Sequence, residues 1–301
     1  MSFVDKKFIE RPKIDAHNHL NLGMRYASYV VWANFFIPDF PRPLNGLDEM
    51  HQIISEFTRP RCQTADDVEK LLSLAIEDAI ADTVIVIEGS VDIGFINQCG
   101  GNIDTFLALV SGIRDKYAER IRFEPELGMG KTFDIAKLNA WVPECIGSGV
   151  FKSIDLYGPE VEEGIENFKG FFRLAGEKGL KKKAHVGEFS DSRSVVRFVE
   201  FFELDEVQHG IGAAADSSAL RFLADNNIRC NVCPSSNVML GAVPSLKEHP
   251  IRRMADAGVP VSIATDDLLF FNRSVGEQMA DLVAAGVFSE DEVFSIASGC
   301  I

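Results

Sequence analysis

Two rhythms of apolar residues alternate along this chain. Short runs rich in aliphatic and β-branched residues are bounded by glycine, proline or acidic residues. Between them, apolar positions return every three or four residues over longer stretches. The first rhythm reads as buried strand and the second as amphipathic helix. Eight strand-like runs can be counted, at residues 13–17, 83–88, 121–127, 150–156, 182–185, 206–209, 229–233 and 261–265. Strands alternating with helices predict an α/β fold with a parallel sheet wrapped by helices. Eight is the number that closes such a sheet into a TIM-type (β/α)8 barrel, here expected to be one domain over residues 1–301.

The helices carry their own punctuation. Thr64-Ala65-Asp66-Asp67 resembles a capping box, with Asp in place of the usual Glu or Gln. After it, Val68, Leu71, Leu72, Ala75, Ile76 and Ala79 form one apolar stripe. Val161, Ile165, Phe168, Phe172 and Ala175 predict another helix, ending before Gly179. Val195, Val196, Phe198, Val199 and Phe202 mark a third, residues 274–285 a fourth, and Ser289-Glu290-Asp291-Glu292 the start of a last one. Residues 20–63 break the alternation. They are rich in aromatic residues and proline, including Tyr26, Tyr29, Trp32, Phe35, Phe36, Pro38, Phe40, Pro41 and Pro43. An insertion after a barrel strand lies on the catalytic face, so a lid is expected there, with a peripheral apolar subdomain or dimer contact as the alternative.

Bulk properties narrow the function. With 46% hydrophobic and 25% charged residues in 301, a sizeable core needs no staples. No run of 18 apolar residues occurs, so no membrane span is expected. The opening Met1-Ser2-Phe3-Val4-Asp5-Lys6-Lys7 has no apolar stretch, so a secretory leader is not expected and a cytoplasmic location is. A formal net charge of −15 argues against a nucleic-acid partner, which calls for clustered Lys and Arg. Cys62, Cys99, Cys145, Cys230, Cys233 and Cys300 form no disulfide framework. Cys230 and Cys233 lie three apart in a strand-like run, where side chains point to opposite faces, so reduced thiols are expected.

Chemistry concentrates where strands end. His17 and His19 are two apart on a strand, so both point into the barrel mouth. Alone, such a pair could be two hydrogen-bonded histidines. His185 ends another strand and adds a third imidazole, with Glu188 three residues on, placed to move a proton. His209 follows a sixth strand, and Asp266 and Asp267 follow the eighth. Neutral imidazoles with one carboxylate are the donor set of a metal site that keeps a position open for water. Strands one and eight adjoin in a closed barrel, so His17, His19 and Asp266 should meet. His51 and His249 are read as structural, with His249-Pro250 setting a helix start.

The segments D-A-H-N-H-L, H-V-G-E, Q-H-G, C-P-S-S-N, H-P and T-D-D resemble the adenosine/adenine/AMP deaminase branch of the amidohydrolase superfamily. Their order and separations match from residue 13 to about residue 272. Ser153-Ile154-Asp155-Leu156-Tyr157-Gly158-Pro159-Glu160 is similar to that family's I-D-L-x-G-x-E segment. The resemblance implies a metallo-dependent hydrolase barrel of purine metabolism with one zinc per chain, held by His17, His19, His185 and Asp266. Glu188 would protonate purine N1. His209 would orient the attacking water and help deprotonate it. Asp267 would hold N7, and the backbone N–H of Gly158 would meet N3. Asn21 stands where relatives carry an aspartate that contacts ribose.

The expected activity is hydrolytic removal of a purine exocyclic amine from a base or nucleoside, adenosine to inosine first, with adenine or a 5′-modified adenosine as alternatives. A binuclear amidohydrolase would need a bridging carboxylated lysine or carboxylate at the fourth strand and a further histidine ligand; Lys152 sits in that strand, and Glu188 in an H-x-x-E context argues for the mononuclear site. A non-catalytic binding protein on the same barrel is the remaining reading.

Overall fold

The computed structural model describes residues 6–299; the first five residues, Cys300 and Ile301 lie outside the described residues. Eight parallel strands succeed one another in chain order around one sheet. They are β1 (Lys13–His19), β2 (Val84–Asp92), β3 (Arg122–Gly130), β4 (Ser153–Tyr157), β5 (Lys181–Val186), β6 (Glu206–His209), β7 (Arg229–Val232) and β8 (Val261–Ile263). A parallel bridge between Asn18 and Asp266 joins the end of β1 to the residues after β8. The His19 amide donates to the Asp266 carbonyl at 3.2 Å, and the Asp266 amide to the His17 carbonyl at 3.0 Å. The barrel is thereby nearly closed, with helices between strands covering its outside.

Apolar side chains cover the outward face of the strands, against the helices. Ile87 and Val91 of β2, Leu127 and Met129 of β3, and Ile154 and Leu156 of β4 are fully enclosed. The stripe from Val68 to Ala79 is buried on helix Ala65–Ala81, which starts from a reciprocal Thr64–Asp67 capping box. Asp serves there because its short carboxylate still reaches the Thr64 amide, at 2.9 Å. Ser274 and Ser289 cap helices Val275–Ala284 and Glu290–Ala297 in the same way. Among the described residues no helix is long and apolar enough to cross a membrane.

Two expectations need correction. The helix placed from Val161 starts at Lys169, after a short 3-10 turn at Ile165–Phe168. Val161 is 53% exposed in the preceding loop, because Gly164, at φ +79°, reverses the chain before any helix can begin. β4 starts at Ser153, so Lys152 lies outside the strand. Its side chain is exposed, so Lys152 is not placed to bridge metals.

One layer below the strand ends, the barrel interior is ionic. Lys183 from β5 contacts Glu88 from β2 and Glu126 from β3, and lies 3.2 Å from Glu206 of β6. Arg229 of β7 reaches Glu206 at 2.7 Å and Glu88 at 2.8 Å.

Residues 20–63 fold into helices Tyr26–Ala33 and Gly46–Ile53, with irregular turns to Arg61. They pack over the segments that follow β7 and β8. The Leu44 amide donates to the Met239 carbonyl at 2.9 Å, and the Leu269 amide to the Leu22 carbonyl at 2.8 Å. The ring of Phe40 meets that of Phe270 edge to face at 5.1 Å.

Candidate active site

Side chains from five strand ends converge at the mouth of the barrel on this side. His17 and His19 leave β1 on the same face, each with Nε2 3.6 Å from Asp266 Oδ1. Ligands each about 2 Å from a shared tetrahedral ion stand about 3.3 Å apart, so this spacing suits a metal. The His17 ring lies 4.7 Å from His185 and 5.5 Å from His209, centre to centre. His209 Nε2 is 3.7 Å from Glu188 Oε2 and 3.9 Å from Asp266 Oδ2. Donor atoms of His19, Asp266 and Asp267 also lie within 4.8 Å of one another. Gly158 follows β4 at φ +103°, and Asn21 sits half-buried in the turn after β1, outside this cluster of side chains.

The backbone is bent to make this arrangement. His209 and Asp266 hold φ of +66° and +60°, a region that costs a side-chain-bearing residue energy and clusters at functional sites. Gly187, at φ +76°, turns the chain between His185 and Glu188 where a Cβ would fall 2.4 Å from Val195. The turn is then clamped by Glu160, whose carboxylate accepts the amides of Gly187, Glu188, Phe189 and Ser190 at 2.8–3.2 Å. Asp15 ties β1 to the approach to Asp266. Its Oδ1 accepts the Thr265 amide at 3.1 Å, and its Oδ2 accepts the Thr265 hydroxyl at 2.5 Å.

Burial sets the protonation states. It holds His19 and His209 down to about 4, and His17 and His185 well below the ordinary imidazole value with help from neighbouring histidines. All four are therefore neutral at pH 7, the form that binds a metal. Burial pushes Glu188 well above the carboxylate range, and the charges of Asp266, Glu160 and Asp267 push further. Asp267 is raised by burial and then by Asp266. Glu188 and Asp267 can thus be proton donors at neutral pH.

The donor set fits a metal ion. Both ring nitrogens of His17, Nε2 of His185 and Oδ1 of Asp267 are buried without a hydrogen-bond partner among the described residues. Such atoms are costly unless something satisfies them. Asp155 of β4 also belongs here, one oxygen lying within 4.8 Å of the donor nitrogens of His17, His19 and His185. No role for Asp155 or Glu160 is drawn from the sequence, although both lie in the segment compared with the family. Asp155 occupies an inward strand position like any core residue, and Glu160 precedes its partners by 27 residues or more. His249, read as structural, does start helix Ile251–Asp256, but its other ring nitrogen reaches Asn237, beside His209.

A family model described as adenosine deaminase matches residues 55–301. A Treponema pallidum (strain Nichols) protein named "Putative adenosine/adenine deaminase" is 54% identical over 280 residues, spanning 93% of this chain and 94% of its own length. The chain belongs to the adenosine deaminase family. It is a hydrolytic deaminase of a purine exocyclic amine, on an amidohydrolase barrel whose chemistry is metal-dependent. Two solved structures share the fold. The adenine deaminase of Arthrobacter aurescens superposes with a TM-score of 0.84 at 20% identity, over 97% of this chain and 92% of its own. An amidohydrolase from Burkholderia ambifaria with bound Zn gives 0.74 at 19% identity, over 97% and 90%. The family match begins at residue 55, so His17 and His19 enter the site from the part of the chain that precedes it.

Proposed function

We propose that this deaminase uses one zinc ion per chain, held by His17, His19, His185 and Asp266, to hydrolyse the 6-amino group of an adenine-type purine in the cytoplasm. The observation that carries the reading is the meeting of His17 and His19 on Asp266, with the His185 ring against that of His17 and with Glu188 and His209 beside Asp266. Zinc in that position supplies Lewis acidity, making water nucleophilic near pH 7. Glu188, in its acid form, donates a proton to N1 and draws electrons away from C6. Asp267, also in its acid form, donates to N7. The Gly158 amide meets N3, and His209 holds the incoming oxygen. The glutamate-clamped turn keeps Glu188 aimed at the ring, and Phe40 and Phe270 help exclude water from this end of the barrel. Water adds its oxygen to C6 and gives up two protons, one restoring the acid form of Glu188 spent on N1 and one passing to the exocyclic nitrogen, which leaves as ammonia.

Substrate choice turns on the segment after β1. Asn21 lies in the turn that opens the 20–63 insertion, at the place where relatives bind ribose. An amide there does not offer the charged acceptor of an aspartate. Adenine or a 5′-modified adenosine should therefore compete with adenosine. Ammonia release from adenine, adenosine, 5′-modified adenosines and AMP tests this. Values of kcat/KM for adenosine within about tenfold of another member of the panel support it. A preference for adenosine over all others by about 10³-fold, roughly 4 kcal/mol in transition-state binding, would show that Asn21 recognises ordinary ribose. No release from any purine would sink the functional reading as a whole.

A further inference from the structure

We infer that Asn237 and His249 are positioning residues that hold His209 in the tautomer with its proton on Nε2, the nitrogen facing Glu188 and Asp266. One backbone group here has a fixed role. Pro250 has no N–H, and the next amide, that of Ile251, donates to His249 Nδ1 at 3.1 Å. A peptide N–H can only donate, so His249 Nδ1 carries a lone pair and the ring proton sits on Nε2. That Nε2 lies 3.2 Å from Asn237 Oδ1 and donates to it. The amide of Asn237 is thereby oriented, oxygen toward His249 and nitrogen toward His209.

Its Nδ2 stands 3.3 Å from His209 Nδ1 and 3.5 Å from Glu188 Oε1. An amide NH2 has no lone pair to offer, so His209 Nδ1 accepts and the imidazole proton lies on Nε2. Turning the amide over would set two donors against each other at His249. Asn237 and His249 are 0% and 4% exposed and His209 is 1% exposed, so water cannot relieve that conflict. The Asn237 backbone is anchored as well, its amide on the Cys233 carbonyl at 3.0 Å and its carbonyl under the Val243 amide at 2.9 Å.

The relay changes what His209 does. With the proton on Nε2, it presents a hydrogen-bond donor to the space between Glu188 and Asp266. It then orients the oxygen in front of it and does not take that oxygen's proton, in contrast to the base role implied by the family resemblance. This inference rests on the proposed placement of His209 beside the attacking water; the tautomer itself does not.

The test is the ring-nitrogen spectrum of histidine-¹⁵N-labelled, zinc-loaded protein, with His209 signals assigned by their loss in His209→Gln. The expected result is a protonated Nε2 and an unprotonated Nδ1 for His209. Asn237→Asp puts an acceptor against both rings, so His209 Nδ1 should become protonated while zinc content stays unchanged. His249→Phe, which removes the donor that orients the amide, should mix the tautomers, and His249→Gln, which keeps an N–H, should restore the single form. In turnover, Asn237→Asp should lose about 10- to 100-fold in kcat, the range for groups that orient an active-site ligand, with KM little changed. Wild-type His209 protonated on Nδ1 would overturn the proposal, and so would an unchanged Nε2–H spectrum in zinc-retaining Asn237→Asp. If no purine is deaminated, the kinetic arm fails with the functional reading, whereas the spectrum still reports the tautomer.

Discussion

The upper and lower layers of the barrel interior both hold buried ionisable side chains, but they satisfy them differently. In the lower layer, Lys183 and Arg229 are set against Glu88 and Glu206, whose carboxyls are held below the ordinary range, while burial outweighs Lys183 at Glu126 and raises it to about 8. Burial works against ionising Glu206, yet Lys183, Arg229 and Lys181 overcome it and hold its carboxyl below the ordinary range. Two residues further along β5, Lys183 gives way to His185, and the rule changes. The upper layer offers four imidazoles and several carboxylates but, among the described residues, no close lysine or arginine partner for Glu188, Asp266 or Asp267, and their pKa values are raised. A paired cluster can stand as structure. A cluster with unsatisfied donor atoms is poised for a ligand.

Substitutions can break that contrast, and the largest effect is expected in the upper layer. Asp266→Ala should release the metal and abolish turnover, whereas Asp267→Ala should keep the metal and lose substrate affinity and rate. Elemental analysis beside kinetics decides it, and equal metal content in the two variants would contradict the division of labour. The same measurement on wild-type protein should give about one zinc per chain; two would refute a mononuclear site.

Glu188→Gln should keep zinc and lose about 10²–10⁴-fold in turnover, the usual contribution of a general acid. A glutamine fills the same space but has no proton to give to N1. Loss of the metal instead would make Glu188 a ligand.

Lys183→Met should do the reverse, costing about 3–5 kcal/mol of stability by leaving buried carboxylates unpaired. Urea unfolding measures it, and the folded fraction should retain metal and activity. A variant with wild-type stability and lost activity would mean that the two layers are one functional unit.

The smallest effect is in the acid dependence of stability. Glu206 is lowered in the folded state, so its contribution is present above the unfolded carboxylate pKa of about 4.3 and fades as pH falls toward the folded value. The fall in unfolding free energy below about pH 4 should be shallower in Glu206→Gln than in wild type. An identical slope would show that the lower layer is not held by ionised Glu206.

Periodicity alone carried the eight strands and the order of their helices, because repeats of two and of three to four residues record which face is buried. Residue type at strand ends carried His17, His19, His185, Glu188, His209, Asp266 and Asp267, because a parallel barrel gathers those ends on one side. The Thr64 cap was legible too, since capping is a contact between neighbours three residues apart.

What stayed hidden depended on partners distant in sequence. Glu160 shows its use only when the turn at residues 187–190 lies over its carboxylate. Lys183 reads as one of three lysines in a row until β2, β3, β6 and β7 surround it. Asp155 reads as a core position until β1 and β5 bring their histidines beside it. His249 becomes more than a helix-starting residue only when Asn237 places it behind His209. The chain's local chemistry therefore determined the elements and the candidate reactive groups. Barrel closure decided which buried charges are paired and which are left open for a ligand, because pairing depends on distances across the barrel that no local pattern records.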